Sequence, residues 1–161
     1  MFTDDDEDRQ LEVLDQAECL DLLSTAAIGR VAFTEGALPA IQPVSFRLDG
    51  GQVLIPTRYG SKVAAASRAA VLAFEVDDVQ PANRTGWNVT IVGPSRLISD
   101  PRMVADLDRA GPRPWPTSGD RCYIAISVQI VRGRRVGPRQ QVGHPASPDL
   151  GAAPRDVDLR A

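Results

Sequence analysis

The run Cys122-Tyr123-Ile124-Ala125-Ile126-Ser127-Val128-Gln129-Ile130 decides the fold. Cys122, Ile124, Ile126, Val128 and Ile130 recur at every second position, the period of a strand that shows one face to a core. The run extends to roughly eleven residues, about twice an ordinary strand, a length that suits a strand curving around a barrel. Residues 132–135 close it.

Upstream, a helix at 101–110 opens with Asp100-Pro101, proline standing where a first-turn N–H has no partner anyway. Before it, 86–99 reads as a long strand in which Trp87, Val89 and Ile91 share a face and Gly93-Pro94 marks a bulge or bend. Residues 71–76 form a strand that ends in acid. Glu75 and Asp77 project from one face of it, as expected of a solvated strand end or an ion pair to an arginine. Asp49-Gly50-Gly51 is a hairpin turn joining alternating segments at 38–48 and 52–57. Pro39 and Pro43 cannot donate to a ladder, so the first of these segments is an edge strand or is bulged. Glu35-Gly36 is another turn, after a period-two segment beginning at Ile28. A first helix spans 14–27, with Asp15 and Glu18 at capping-box spacing and Leu20, Leu23 and Ala27 on its apolar stripe. No strand–helix–strand alternation appears. The expectation is a mainly β fold with peripheral helices, an α+β antiparallel barrel.

The flanks differ from this body. Asp4-Asp5-Asp6-Glu7-Asp8 makes 1–10 an acidic, disordered tail, and 137–161, rich in Pro and Gly, reads as a second. One domain over 11–136 remains. The formal charge of −3 and the lack of a basic stripe argue against a nucleic-acid partner. The acidic start does not resemble a signal peptide and no apolar run could span a bilayer, so a cytoplasmic protein without a membrane partner is expected. Cys19 and Cys122 have no metal spacing and read as reduced core thiols.

Chemistry concentrates at Thr57-Arg58-Tyr59-Gly60-Ser61-Lys62, where a strand ends, turns at Gly60 and re-enters as a short helix over 62–68 capped by Ser61. Lys62 is the only lysine among 18 basic residues. Free N–H groups, a hydroxyl and an ammonium make an anion trap, read here as the seat of a cofactor phosphate. The only histidine, His144, falls in the C-terminal tail, which removes triad and zinc chemistry from the fold; no metal is expected. Gly-x-Gly-x-x-Gly is absent, and Gly60-Ser61-Lys62 lacks the leading spacing of a Walker motif. A chain short of catalytic side chains but holding an anion trap borrows its chemistry from a cofactor.

Several landmarks occur in order: 27–32 (AIGRVA), 39–46 (PAIQPVSF), the Thr57…Gly60-Ser61-Lys62 turn, Phe74-Glu75-Val76-Asp77, 86–93 (GWNVTIVG) and Gly133-Arg134-Arg135-Val136. Together they resemble the pyridoxamine 5′-phosphate oxidase-like family of flavin-binding split β-barrels, over 14–136. The resemblance implies a six-stranded antiparallel split β-barrel of Greek-key type and a homodimer with cofactor at the interface. It implies an FMN-dependent oxidoreductase passing hydride or electrons to a small molecule. Gln42, Pro43, Val44 and Ser45 would lie along the flavin ring; Thr57, Ser61 and Lys62 would take the phosphate; Trp87 and Asn88 would approach from the Gly-Trp-Asn strand. Arg30 and Arg58 are further candidates for phosphate or substrate. The C-terminal Trp, Arg and His segment of true pyridoxamine phosphate oxidases has no counterpart after Val136, so a different substrate is expected. Two alternatives stand beside FMN chemistry: a reductase using the deazaflavin F420, and a non-catalytic flavin carrier. No catalytic residue is assigned.

Overall fold

The computed structural model describes residues 9–61, 63–64, 67–111 and 120–138. Lys62, Trp115, His144 and both outer tails lie outside the described residues. Within them the chain forms β1 (Arg9–Leu14), α1 (Gln16–Thr25), β2 (Ile28–Glu35), β3 (Leu38–Ser45), β4 (Arg47–Asp49), β5 (Gln52–Arg58), β6 (Val71–Gln80), β7 (Thr85–Ile98), α2 (Pro101–Ala110), β8 (Arg121–Ser127) and β9 (Ile130–Pro138). Every pairing is antiparallel. The expected split-barrel fold is present, with nine strands where six were expected and a sheet that does not close.

Local chemistry explains most boundaries. Asp15 accepts from Glu18 N at 2.9 Å while Glu18 accepts from Asp15 N at 3.2 Å, the expected capping box. Asp100 accepts from Arg102 N and Met103 N at 3.0 and 3.1 Å and starts α2. Gly50 and Gly51 take φ of 55° and 73°, the left-handed values that a two-residue hairpin needs.

β7 organises the rest. Its residues 85–94 pair with β6 along one edge; along the other, 86–92 pair with β9 and 95–98 with β8. The run that alternates through Ile130 is therefore two strands rather than one, interrupted at Val128-Gln129. The cause is the bend at Gly93-Pro94. A Cβ on Gly93 would lie 1.8 Å from the Ser127 carbonyl oxygen, and Val128 N leaves the ladder to donate to Gly51 O at 3.0 Å. Nor does β9 merely close the run: it continues to Pro138 and pairs with β1 as well as β7. β1 takes the last two residues of the stretch read as an acidic tail.

Two half-sheets result. One carries β3, β2, β6, the first part of β7, β9 and β1; the other carries the end of β7, β8, β5 and β4. β3 ends its half, as Pro39 and Pro43 require, and lies against β5 without a ladder. Between the halves sits one core containing Leu23, Val31, Phe74, Val89, Ile91 and Ile124, and Phe46 meets Phe74 edge-on with ring centroids 4.7 Å apart. Of the expected stripe, α1 adds Leu23 to this core, joined by Cys19 and flanked by Leu22 and Ala26, while Leu20 and Ala27 stay outside it. A Cβ on Gly133 would stand 2.3 Å from Cys19 Sγ, so only glycine admits the helix so close to β9. α2 covers the outer side of the second half-sheet through Val104, over Leu54, Ile98, Tyr123 and Ala125.

Candidate functional site

The turn after β5 builds the most site-like cluster. Thr57, half-buried, is the last residue but one of β5, and Tyr59 N donates to Asp120 O at 2.8 Å. Gly60 turns the chain with φ 82°, and Ser61 N donates to Arg58 O at 3.1 Å. Ser61 Oγ then accepts from Ala64 N at 3.2 Å, the capping role expected of it. It also lies 3.0 Å from Thr57 Oγ1. Each hydroxyl carries one proton. With Thr57 donating to Ser61, the Ser61 oxygen has both lone pairs used and its own O–H left to give. The pair therefore fits an anion, and it needs no rearrangement to do so.

A buried serine that the sequence reading missed holds this turn in place. Ser95, 6% exposed, sets its Oγ 2.7 Å from Ser67 O and 2.8 Å from Ala70 O, one of which takes its proton. Ser67 in turn donates to Ala64 O at 2.9 Å. The segment after Ser61 is thus anchored to β7. The available signal was a polar residue at an inward position just past the Gly93-Pro94 bend. Arg68 stacks 5.6 Å from the Tyr59 ring centre and donates to its hydroxyl at 3.2 Å.

The other expected contacts divide. Gln42 and Pro43 are exposed and Val44 and Ser45 half-buried on β3, whose far edge carries no ladder partner. Their register with β2 puts Val44 toward the core and Pro43 and Ser45 on the opposite, outer face. Trp87 packs on the core, whereas Asn88, exposed, points outward opposite Asp77 and Arg134. From Asn88 to Ile98 β7 runs ten residues, roughly 30 Å of strand, before it reaches the row of Tyr123, the neighbour of Thr57's partner Cys122. Pro43 pairs with Arg30, Arg30 with Glu75 and Glu75 with Thr90, so one chain sets β3 three strands from β7 but in nearly the same rows as Asn88, whereas the ladder of Thr57 meets β7 at its other end.

Charges follow the same division. Arg30 is held by Asp77 and by Glu75 at 3.3 Å, which makes the two acids an ion-pair site and raises the guanidinium pKa through the Asp77 hydrogen bond first. Arg58 has no such partner among the described residues. Cys19 and Cys122 are buried free thiols, as expected, and burial pushes both up in pKa; Arg68 partly opposes this at Cys122.

Comparison with known proteins places this architecture. A family model described as pyridoxamine 5′-phosphate oxidase matches residues 15–135. The chain belongs to this family. Rv0080, an uncharacterised Mycobacterium tuberculosis protein, is 39% identical over 133 residues, covering 80% of this chain and 87% of its own. The FAD-binding protein from Mycobacterium smegmatis superposes with a TM-score of 0.62 at 28% identity, over 76% of this chain and 95% of that one. A conserved protein of unknown function from Corynebacterium diphtheriae, DIP1874, does so with 0.64 at 26%, over 77% and 96%. In this member of the pyridoxamine 5′-phosphate oxidase family the split sheet carries a hydroxyl pair at the end of β5.

Proposed function

We propose that this family member binds a flavin nucleotide, FMN, as a homodimer and acts as an oxidoreductase on a small molecule. The observation that carries the reading is the Thr57–Ser61 hydroxyl pair beside the open edge of β3. The Mycobacterium smegmatis relative is an FAD-binding protein, which supports a flavin in general. The pair would donate to the cofactor phosphate, with Lys62, next in sequence, adding an ammonium. Gln42 and Ser45 would flank the ring through backbone groups, since the unpaired edge leaves main-chain donors and acceptors unused. The flavin, when bound, supplies hydride or single-electron transfer.

Trp87 and Asn88 would meet such a ring from a second copy, because within one chain β2 and β6 stand between them and β3. We assign that copy to an outer apolar row. Ile41, Ala32, Ala73, Val92 and Ile130 stand in register across five strands on the bare outer face, with Ile41 70% exposed.

The purified protein is expected to show the visible flavin bands and to release FMN on denaturation, identified by mass spectrometry. Release of FAD, or uptake of F420 alone, would replace the cofactor named here. A colourless protein that takes up none of the three overturns the reading. Thr57→Val with Ser61→Ala should weaken FMN binding by about tenfold or more, while the lost cap costs only about 1 kcal/mol of stability. Turnover with a nicotinamide donor separates an enzyme from a carrier.

A further inference from the structure

The bare outer face is striped. Below the apolar row that ends in Ile41 and Ile130 lie two polar rows, and beyond them a second apolar row: Val79 on β6, Gly86 on β7, Val136 on β9 and Leu11 on β1, all in direct register. This second row forms the floor of a cleft of about 580 Å3, within the range of small-molecule sites. Val79 and Leu11 are each 57% exposed although nothing polar on the floor calls for solvent. Gly86 keeps the floor flat, because a Cβ there would come within 2.6 Å of the Asp78 carbonyl oxygen. The β6–β7 turn forms one rim and is stiffened by Asn83, which accepts from Thr85 N at 3.3 Å and Thr85 Oγ1 at 2.8 Å.

Polar side chains line the cleft on both sides of the apolar floor, Arg84 and Thr85 in the turn on one side and Asn88 and Arg134 on the other. Asn88 and Arg134 stand opposite each other on β7 and β9, side by side on the same face, and both line the cleft. Neither side chain has a hydrogen-bond or ion-pair partner among the described residues. Asp77, the next residue along that row, is already engaged by Arg30, so its charge is largely offset there. An amide and a guanidinium meeting beside an apolar trough match a carboxylate that carries an apolar body.

We infer that this cleft is a binding site for an apolar monocarboxylate, its carboxylate held by Arg134 and Asn88 and its body lying on Leu11, Val79 and Val136. The site shares Trp87 and Asn88 with the cofactor reading but not Thr57 or Ser61, so the test reads carboxylate binding and flavin uptake separately.

The test uses the full chain and calorimetric titration with 2-naphthoate and its neutral isostere 2-naphthamide. The acid is expected to bind at least about tenfold more tightly, the worth of a hydrogen-bonded charge at such a site. Arg134→Gln should bring 2-naphthoate down to the affinity of 2-naphthamide, and Arg134→Lys should recover part of the difference. Val136→Ser should weaken both ligands alike. Thermal melts and flavin uptake of each variant, measured in parallel, separate a lost site from a lost fold and from failure of the cofactor reading. Equal affinity for acid and amide, an acid preference that survives Arg134→Gln in a folded variant, or no saturable binding of either ligand would overturn the inference.

Discussion

The two half-sheets share a core but differ on their outer sides. In the half roofed by α2, β5 and β8 are buried on both faces: residues 53–56 and 122–126 are buried without a break. In the other half, β2 and β6 alternate between buried and exposed or partly exposed positions, because no described residue covers their outer face. The sequences carry the same distinction. Val53-Leu54-Ile55-Pro56 and Cys122-Tyr123-Ile124-Ala125-Ile126 are continuously apolar, as doubly buried strands are. Leu72-Ala73-Phe74-Glu75-Val76-Asp77 puts its large apolar residues on one side only. A face without a roof is free to carry polar rows, a ligand cleft and a docking row, and this one carries charges and apolar stripes in register. The roofed face carries a packed side chain at almost every inward and outward position.

The largest effect should come from emptying the roofed side. Leu54→Ala, beneath α2 and 5% exposed, is expected to cost about 2–5 kcal/mol in urea unfolding. Ile41→Ala, 70% exposed on the bare side, should cost less than about 1 kcal/mol, mostly lost strand preference. If the two substitutions cost the same, the bare face is covered in solution, and the distinction between the halves holds only for a single chain. Measuring Ile41→Ala at several protein concentrations would then show whether a second copy supplies the cover.

Features set by neighbouring residues were readable in advance, and those set by long-range register were not. The Asp15–Glu18 box, the Asp49-Gly50-Gly51 turn and the Asp100-Pro101 helix start need only a few residues each, so their chemistry shows in the chain. The Thr57–Ser61 pair is of this kind, four residues apart across one turn. β1 escaped because its apolar residues Leu11 and Val13 point to the bare face and follow an acidic run. The break at Val128 escaped because its causes, Gly93 and Gly51, lie far away in sequence. Asn88 could be assigned to a strand but not to an end of the barrel, since its distance from Thr57 follows from three ladders at once. Arg134 lies opposite Asn88 for the same reason; the Gly133-Arg134-Arg135-Val136 landmark marks the residue but not its neighbour.

A second test concerns how the roof is fastened. Tyr123, 1% exposed, donates to Asp108 on α2 at 2.9 Å, and Arg121 holds the other oxygen of that carboxylate at 2.9 Å. Burial first, then the Asp108 hydrogen bond and charge, push the Tyr123 phenol from 10 up to about 12. The folded state thus keeps a proton that the unfolded chain releases. The fastening is fully present below pH 10 and is lost as the pH rises through about 12. Between those values stability should fall with a slope approaching about 1.4 kcal/mol per pH unit. Tyr123→Phe should cost about 1 kcal/mol at neutral pH and flatten that slope. A stability difference between the two proteins that stays constant across this window would mean that the roof is held by packing alone.

The smallest effect belongs to the charges of the bare face. Arg30 lies half in solvent, 51% exposed, with Asp77 and Glu75 on the adjacent strand. In Arg30→Gln the two carboxylates would face each other two residues apart on one side of β6 with no cation between them. Water and salt screen charges so placed, so the melting temperature should drop only slightly, and the drop should vanish in molar salt. The salt dependence reads the environment directly. A loss that persists in molar salt would place Arg30 behind a partner, out of reach of ions, and would show that the polar rows are an interface rather than a solvated surface. A loss that salt abolishes leaves the bare half open to solvent, with its apolar rows exposed on either side of a screened ion pair.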